Sequence, residues 1–431
     1  MSRAWLCIMA LGAGVAWGAG PPLTLEAVLA TAETNHPDLD LALARLQAAQ
    51  AEIQAATSLN DFRVTLDASL RGGRNDLYRD RYQPDHFLRL NARKTLWDAG
   101  RQEAVDLAGG QEGEARSLQL MDVRAQRRLS LMARYFDVLL ADMREVAETE
   151  FLAVAYVAWD HAKDRQALGQ MAAWELAELE NRYMDARSRR NDARRQLREK
   201  RMLLAAAMNR PGSVLEDLVD PKLAGNDRAP PEFGVLLSQV LASNSRLQAQ
   251  GRLLAAARGR LDAARAEYSP SLEFEAEAAA WSRDSVNRDD LRAGLNFVWP
   301  IWQGGRIDAR IGREQARFHE LQAEHDKLVM ELRQAVLEAR EEIEYLRDSE
   351  RRGMAVNSAY RDLALERARA EYELELKTHL GSSMAETQVA RLRQRAVEYR
   401  LALAWVRLES LLGGAEALTR LVEATKQEEK K

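Results

Sequence analysis

The chain contains the same unusual order of elements twice, and this duplication limits its fold more than any other feature. In each half a helical pattern is followed by two short alternating segments and then by a long helical pattern. The junctions after the second alternating segment are also alike, reading LWDAGRQ from Leu96 and IWQGGRI from Ile301. Repetition of a whole supersecondary unit indicates internal duplication. The sequence therefore predicts two similar halves.

The alternating segments have the two-residue period of β-strands. They lie near residues 62–70 and 88–96 in the first half, and near 272–278 and 291–301 in the second. Each pair is joined by a polar loop, which predicts one hairpin per half with one apolar and one polar face. The polar face should carry a set of acids, which are Asp67, Glu273, Glu275 and Glu277.

The remaining residues follow the helical period over unusually long stretches. From Gly100 to Leu168 the pattern is almost unbroken, and such a helix would be about 100 Å long at 1.5 Å per residue. Breaks near residues 167–176 and 375–386 predict turns between two long arms in each half. The shorter helices of each half, placed end to end, match the length of the long one. The pattern predicts a rod of one continuous helix beside two stacked helices.

The N-terminus has the features of a secretory signal peptide. Arg3 is followed by an apolar stretch and by the small residues Ala16, Gly18 and Ala19. This apolar stretch is too short to span a membrane as a helix, and we expect cleavage near residues 18–20. Cys7, the only cysteine, lies inside this segment and too early for a lipid anchor. The mature chain would then contain no cysteine.

Composition argues against several classes of function. The net charge of −4 gives no general attraction for nucleic acid, so no nucleic-acid partner is expected. The segment HELQAEH places His319 and His325 six residues apart, on different faces of a helix, whereas helical zinc sites use a spacing of four. No glycine-rich phosphate loop or G-x-S-x-G motif occurs. We expect neither an enzyme nor a cofactor or metal site.

The apolar faces of the four predicted strands need a partner that the amphipathic helices do not supply. Lipid is the alternative, because strands of about 9–11 tilted residues span an outer membrane. In lipid a sheet must close, which needs about eight strands or more, so several copies must share one barrel. Three copies would supply twelve strands. Trp97, Trp299 and Trp302 would lie at the membrane boundary. The alternative is an ordinary soluble α+β domain with a solvated polar face.

Three segments resemble the TolC family of outer membrane factors, which serve tripartite efflux pumps and type I secretion. They read LTLEAVLATAETNHPDL from Leu23, AEYSPSLEFEAEAAAW from Ala266 and LNFVWPIWQGGRIDARIGREQARF from Leu295. The resemblance implies a mostly α fold: a homotrimer with a 12-stranded β-barrel in the outer membrane and a helical coiled-coil tunnel in the periplasm. It also implies a channel that exports substrates passively. The implied partners are outer membrane lipid, a periplasmic adaptor and an inner-membrane exporter of the RND, ABC or MFS type.

The same resemblance implies roles for residues at the turns. The expected strand-to-helix turns use Gly100, Gly304 and Gly305, and the acids of the polar face would line the lumen. Adaptor contacts are expected at the helical tips, at Gly169, Gln170, Glu375 and Gly381. The gate candidates are chosen for their place at the tips and for the opposite charges of Glu175 and Lys377, and they are Trp174, Glu175, Tyr372 and Lys377. Where the sequence departs from the family pattern, Ser382 or Ser383 is expected to cap the returning helix.

The predicted boundaries follow from these patterns. They are a signal peptide (1–19), a first periplasmic helix (20–59), a first barrel hairpin (60–98), a long helical hairpin (99–209), a linker (210–231), the first helix of the second repeat (232–269), a second barrel hairpin (270–303), a second long helical hairpin (304–412) and a tail (413–431). Two alternatives to an efflux channel stay open: the outer membrane component of type I protein secretion, and a periplasmic coiled-coil scaffold.

Overall fold

The computed structural model describes residues 22–34, 36–74, 82–213, 215–282, 289–374 and 380–414. The described α-helices are α1 (Leu25–Ala30), α2 (Pro37–Thr57), α3 (Arg101–Ala167), α4 (Ala173–Ala207), α5 (Phe233–Ser243), α6 (Ser245–Ala266), α7 (Arg306–Tyr345), α8 (Arg351–Glu373) and α9 (Leu380–Leu411). The described strands are β1 (Arg63–Ser69), β2 (Gly72–Arg74), β3 (Tyr82–Pro84), β4 (Phe87–Trp97), β5 (Ser271–Trp281) and β6 (Leu291–Val298). This composition confirms the predicted fold class, mostly helical with four long strands.

The two predicted hairpins join into one antiparallel sheet. Its strand order is β1-β4-β5-β6, so the central contact pairs β4 of the first half with β5 of the second. Both hairpins therefore contribute to a single surface. In the described part of this sheet β1 and β6 each have one neighbour, which leaves two open edges.

The loop of the first hairpin is more ordered than the sequence suggested. We predicted a polar loop after residue 70, but β2 and β3 pair antiparallel from Gly72↔Pro84 to Arg74↔Tyr82. Arg71 supports this extension, because its backbone N–H donates to His86 Nδ1 at 3.1 Å. The sequence did not predict β2 and β3, because their composition is polar and shows no alternation of apolar residues.

The chain divides into two compact units. One unit contains the sheet and is formed by residues 35–127, 229–344 and 404–431. Its helices pack through small residues: a Cβ added to Gly259 of α6 would lie 3.0 Å from the backbone oxygen of Ala104 and 3.0 Å from Cβ of Ala108. Gly109 and Gly113 of α3 make similar approaches to Ile53 of α2. Because these glycines have no side chain, the backbones of the packed helices come close together.

A break in this unit separates α5 from α6, where the sequence predicted one helix. Asn244 is buried, and its Oδ1 accepts the backbone N–H of Leu247 at 3.0 Å, which caps α6. Its Nδ2 donates to Leu411 O of α9 at 3.0 Å. Helix-forming residues surround this position, so the break depends on a tertiary contact as well as on the cap.

The other unit is formed by residues 1–34, 128–228 and 345–403. Leu23 pairs with Leu218 in a parallel bridge, and Tyr135 Oη lies 2.9 Å from Leu23 O and 2.5 Å from Val219 O. The rings of Phe136 and Tyr399 stack in the core with centroids 4.4 Å apart. A buried aromatic group thus fixes the first described residues to the connector after α4.

A π-helical turn, Leu346–Glu350, interrupts the helix between α7 and α8. Arg347, within this turn, donates to Arg228 O at 3.2 Å. Arg351, just after it, donates to Asp227 and to Glu398, both at 2.6 Å. Turns of this kind widen a helix locally. The helical period of the sequence did not reveal this one.

Candidate functional site

The polar face of the sheet collects charged side chains from all four long strands. The register aligns Thr65, Asn91, Glu277 and Arg292 in one row across the sheet. Neighbouring rows on the same face contain Asp67, Arg89, Arg63, Arg93, Glu275, Glu273 and Asn296. The four acids named from the sequence therefore share one face, and arginines and amides lie among them.

Glu277 is the most buried of these acids, at 5% exposure. Its Oε2 accepts from Arg292 at 3.0 Å and lies 3.8 Å from Nη1 of Arg89. A buried carboxylate without such partners would carry a large desolvation cost. The two guanidinium groups therefore offset this cost and hold the Glu277 side chain in place.

Asp67 and Glu275 have their own partners. Asp67 Oδ2 accepts from Arg89 at 3.5 Å and from Asn91 at 3.3 Å. Glu275 accepts two N–H groups of Arg93, at 3.1 and 2.8 Å, and one from Asn296 at 2.8 Å. Glu273 lies opposite Asn296 in the register. The polar face is therefore a network of paired charges rather than a row of free acids.

The sequence reasoning identified the acids but not their arginine partners. Arg89, Arg93 and Arg292 alternate with apolar residues in the same period as the acids, so the face they occupy was visible. The pairing of Arg93 with Glu275 depends on the register of β4 with β5, which joins residues 182 positions apart. The pairing of Arg292 with Glu277 depends on the register of β5 with β6. Only the folded sheet shows that arginines neutralise these carboxylates.

The opposite face of the sheet is apolar and exposed in the single chain. Leu66, Leu90 and Leu291 share one row, and Leu291 is 75% exposed. Exposed apolar groups on this face are Val64, Leu66, Leu88, Leu90, Leu291, Leu295 and Phe297. A large contiguous apolar surface marks a contact with a partner or with lipid.

Tryptophans lie where the strands of this sheet lead into the long helices. Trp97, Trp299 and Trp302 are exposed, Trp302 to 85%. Trp97 is the last residue of β4, and Trp299 and Trp302 follow the end of β6, near the boundary that the sequence indicated. Amphipathic rings in such positions are typical of a membrane–water boundary.

The strand-to-helix turns use left-handed backbone conformations. Gly100 has φ +81°, Gly304 +61° and Gly305 +77°, values that favour glycine. Ala99 also has a positive φ, 55°. Asp98 then begins α3, since its Oδ2 accepts the backbone N–H of Gln102 at 2.9 Å. The three glycines, at two turns, therefore mark sharp changes of chain direction.

A carboxylate near these turns joins the starts of the two long helices. Glu267, at the end of α6, pairs with Arg310 of α7 and lies 3.9 Å from Arg101 of α3. Tyr268 Oη lies 2.5 Å from Asp308 Oδ1. A cavity of about 330 Å³ lies beside this cluster, lined by Ala49, Ile53, Ala108, Glu112, Arg260 and Glu314 among others. The contacts fix the helices that carry the sheet.

The first helical tip is a short turn between α3 and α4. Gly169 has φ +73°, and Gln170 N donates to Arg165 O at 2.8 Å. Glu175, named as a gate residue, accepts the backbone N–H of Ala172 through Oε2 at 3.1 Å. The carboxylate thus stabilises the start of α4. Trp174 beside it is 68% exposed.

The second tip is described only in part. Glu375 and Lys377 lie outside the described residues, so their predicted contacts have no structural account here. Tyr372 is exposed near the end of α8. A Cβ added to Gly381 would lie 2.8 Å from Cγ2 of Val154, so this glycine packs against α3.

The predicted cap of the returning helix is wrong. Ser382 and Ser383 lie inside α9, whose described part begins at Leu380. The serines were chosen because they favour helix starts, but the helix begins before them, and residues inside a helix cannot cap it. The Val154 contact is part of the packing that places the helix there.

An aromatic cluster that the sequence reasoning missed stabilises the first helical hairpin. The rings of Trp159 and Tyr183 are stacked with centroids 4.9 Å apart, and Tyr156 lies 5.7 Å from Tyr183. Lys163 Nζ lies 4.1 Å above the Trp159 ring. The aromatic residues at these positions of α3 and α4 were a visible signal, but their helix faces could not be paired without the fold.

Among residues 22–414, apart from the gaps in the description, no group of three or more His, Cys, Asp or Glu is arranged to hold a metal ion. Within the same described ranges, none of the helices combines the length and apolar character needed to cross a membrane.

Part of the chain matches a known protein family. Residues 236–414 match the family described as outer membrane efflux protein. This range runs from α5 to the end of α9 and includes β5, β6 and the second long hairpin.

One curated relative and two solved structures extend the comparison. The pyoverdine export outer membrane protein OpmQ of Pseudomonas aeruginosa is 27% identical over 318 residues, 70% of this chain and 66% of OpmQ, just under two thirds. CusC, described in terms of transmembrane channel formation, has a TM-score of 0.74 at 19% identity, covering 91% of this chain and 92% of that one. VceC, an outer membrane protein of Vibrio cholerae, has a TM-score of 0.72 at 18% identity, covering 91% and 96%.

These matches confirm the predicted resemblance and the predicted location. The solved structures share the fold over almost the whole chain, and the family match covers the second repeat. The family and the neighbours are described as efflux, export or channel proteins rather than enzymes. The second repeat therefore matches an outer membrane efflux family, and the chain as a whole has the fold of CusC and VceC.

Proposed function

Because residues 236–414 match the outer membrane efflux protein family and the chain has the fold of CusC and VceC, we propose that it is the outer membrane channel of a tripartite efflux system. One observation carries the proposal: one face of the sheet is apolar and exposed, and the opposite face carries charged side chains in ion pairs. A soluble sheet with this exposure would be an aggregation hazard. In an outer membrane barrel the same arrangement places leucines in lipid and ion pairs in a water-filled lumen.

Closure of the barrel requires more than one copy. The described sheet contributes four long strands with open edges at β1 and β6. An unpaired strand edge in lipid costs several kcal/mol per unsatisfied group, and a barrel needs about eight strands or more. Three copies, each pairing β6 with β1 of the next, give a closed barrel of twelve strands. We therefore propose a homotrimer.

The lumen of this barrel is lined by balanced charge. Arg89, Arg93 and Arg292 neutralise Asp67, Glu275 and Glu277 within hydrogen-bonding or salt-bridge distance. Paired groups of both signs keep the wall hydrated without a strong field of one sign. Such a wall suits passive passage of polar solutes of either charge.

The helical tips are the proposed contact with the export machinery. The turn at Gly169 and Gln170 lies between two long helices, and Trp174 and Tyr372 are exposed at the tips. We assign Gly169, Gln170, Glu375 and Gly381 to the adaptor contact, and Trp174, Glu175, Tyr372 and Lys377 to a gate. The energy for transport comes from an inner-membrane exporter of the RND, ABC or MFS type joined through the adaptor. OpmQ, a pyoverdine export protein, supports small molecules as the cargo.

The experiment expresses the full-length protein in a Gram-negative host and follows its assembly. We expect heat-resistant trimers in the outer membrane fraction and stepwise conductance of the purified protein in planar bilayers. Leu66→Arg should abolish trimer recovery, because arginine at the lipid face costs about 2–4 kcal/mol at the bilayer centre and each trimer carries three copies.

Thr65→Arg is the matched control. Thr65 is the neighbouring residue on the opposite face of β1, in the row of Asn91 and Glu277. The same arginine there should leave trimers and conductance in place. A soluble monomeric protein without detergent, or equal tolerance of both variants, would contradict the channel.

A further inference from the structure

Lys94 occupies an unusual position on the sheet. Within the described parts of β1, β4, β5 and β6, it is the one charged side chain on the apolar face. The register places it opposite Phe274 of β5, which in turn lies opposite Leu295 of β6. A lysine on a lipid-facing surface needs an explanation, because charge in the bilayer core is expensive.

The position of Lys94 along β4 supplies this explanation. Lys94 lies three residues before Trp97, near the end of β4 that leads into α3. One strand residue rises about 3.3 Å, so the two side chains are about 10 Å apart along the strand. A long lysine side chain extends along an apolar surface and places its ammonium at the membrane boundary. The ammonium of Lys94 can therefore reach toward the aromatic boundary.

A neighbouring ring orients this ammonium. Nζ of Lys94 lies 4.9 Å from the centroid of the Phe62 ring, within the range of a cation–π contact. Phe62 is 61% exposed and immediately precedes β1, so the pair is open to the surroundings of the sheet. A ring contact holds the cation in place but leaves its hydrogen-bond donors available.

Among the strand residues that the structure describes, no carboxylate on this face neutralises Lys94. The acids of the sheet, Asp67, Glu275 and Glu277, project from the opposite face and have arginine partners there. In the proposed trimer β6 of the next copy would lie beside β1. Its residues on the apolar face are Leu291, Ala293, Leu295 and Phe297, which carry no charge.

We propose that Lys94 and Phe62 form a binding site for the phosphate of a phospholipid in the periplasmic leaflet of the outer membrane. The ammonium pairs with the phosphate, and Phe62, Phe274 and Leu295 contact the adjoining acyl chain. The helix end of the barrel faces the periplasm in the proposed function, on which this inference rests. The site would give the barrel a fixed depth and favour anionic phospholipid.

Native mass spectrometry of the full-length trimer tests the site. The detergent-purified protein is titrated with phosphatidylglycerol, and the retained lipid molecules per trimer are counted. Lys94→Gln should weaken retention about fivefold per site, the size of the contribution of one basic residue at an anionic membrane surface. Lys94→Arg should retain the lipid, because it keeps the charge.

Two controls identify the source of the effect. Lys327→Gln removes an exposed lysine of α7 that pairs with Glu331 at 3.8 Å, and should leave lipid retention unchanged. Inorganic phosphate added in excess should not displace the lipid, because it lacks the acyl chains that contact the apolar face. Displacement by inorganic phosphate would assign the site to free phosphate and overturn the lipid proposal.

The result also separates this inference from the proposed function. Trimers that conduct normally but retain phosphatidylglycerol equally in wild type and Lys94→Gln would overturn the lipid site alone. A protein that forms no trimers and stays soluble without detergent would overturn the channel and the site together.

Discussion

Arg292 on β6 donates to Glu277 on β5 at 3.0 Å, across a pair that the register places directly opposite each other. Glu277 is almost fully buried, whereas the leucines on the other face of the same strands are exposed. In a soluble protein the leucines would be buried and the carboxylate exposed, and the reverse arrangement found here is the physical basis of the proposed channel. The charge balance of the proposed lumen can be measured directly through variants of these residues.

Removing the charge of Glu277 should make the pore select anions. Glu277→Gln leaves Arg89 and Arg292 without their shared carboxylate, and a trimer gains one uncompensated positive charge per copy. We expect the reversal potential under a KCl gradient in planar bilayers to shift toward that of chloride. The side chain keeps its size and an oxygen acceptor, so assembly should survive. An unchanged reversal potential would show that this face does not line the conducting path.

Two glycines of α6 should respond to alanine with opposite signs. Gly259→Ala places a Cβ 3.0 Å from the backbone oxygen of Ala104, which cannot move without shifting α3. We expect a loss of about 1–3 kcal/mol, as for other overpacked sites. Gly251→Ala has no heavy atom within 4 Å of the new Cβ and should gain about 0.5–1 kcal/mol from helix propensity. The thermal midpoint of each variant measures the sign, and equal effects would contradict close packing at Gly259.

Tyr135 should make stability sensitive to alkaline pH. Burial, opposed by its backbone hydrogen bond, raises the pKa of Tyr135 from 10.0 to about 12. The folded state therefore holds this proton more tightly than the unfolded state, and its stabilising effect is complete below pH 10. Between pH 10 and about pH 12 this contribution to the free energy of unfolding is lost, because Tyr135 ionises in the unfolded chain before it ionises in the folded protein.

Tyr135→Phe provides the reference for this window. The variant lacks the hydroxyl near Leu23 O and Val219 O, so it should be less stable at neutral pH by about 0.5–1.5 kcal/mol. The difference in unfolding free energy between wild type and variant should shrink as the pH rises from about 10 to about 12. A constant difference across this range would exclude linkage through Tyr135.

Glu175 has two separable roles at the first helical tip. Glu175→Ala removes the carboxylate that accepts the Ala172 N–H, and we expect a loss of about 0.5–2 kcal/mol in the stability of α4. Glu175→Gln keeps an oxygen acceptor and should lose less. Both variants remove the charge of the proposed gate and should raise single-channel conductance. Unchanged conductance in both would reject the gate and leave only the helix-capping role.

The sequence alone determined the order of elements, because the periods of two and of about 3.6 residues record which side of each element meets an apolar environment. It therefore gave both hairpins, the long helices, the glycine turns and the face that carries Asp67 and Glu277. It also predicts a barrel shared between copies, since the apolar faces of four short strands cannot be covered by amphipathic helices. The outer membrane family match agrees with that reasoning.

Only the tertiary structure decided what depends on register and on contacts distant in sequence. The pairing of Arg93 with Glu275 joins residues 182 positions apart, and no local pattern specifies it. The break at Asn244, the start of α9 before Ser382 and the π turn at Leu346–Glu350 arise from packing that overrides local preference. The position of Lys94 beside Phe62 likewise follows from the register of β1 on β4, because a shift of one residue would turn the lysine to the opposite face.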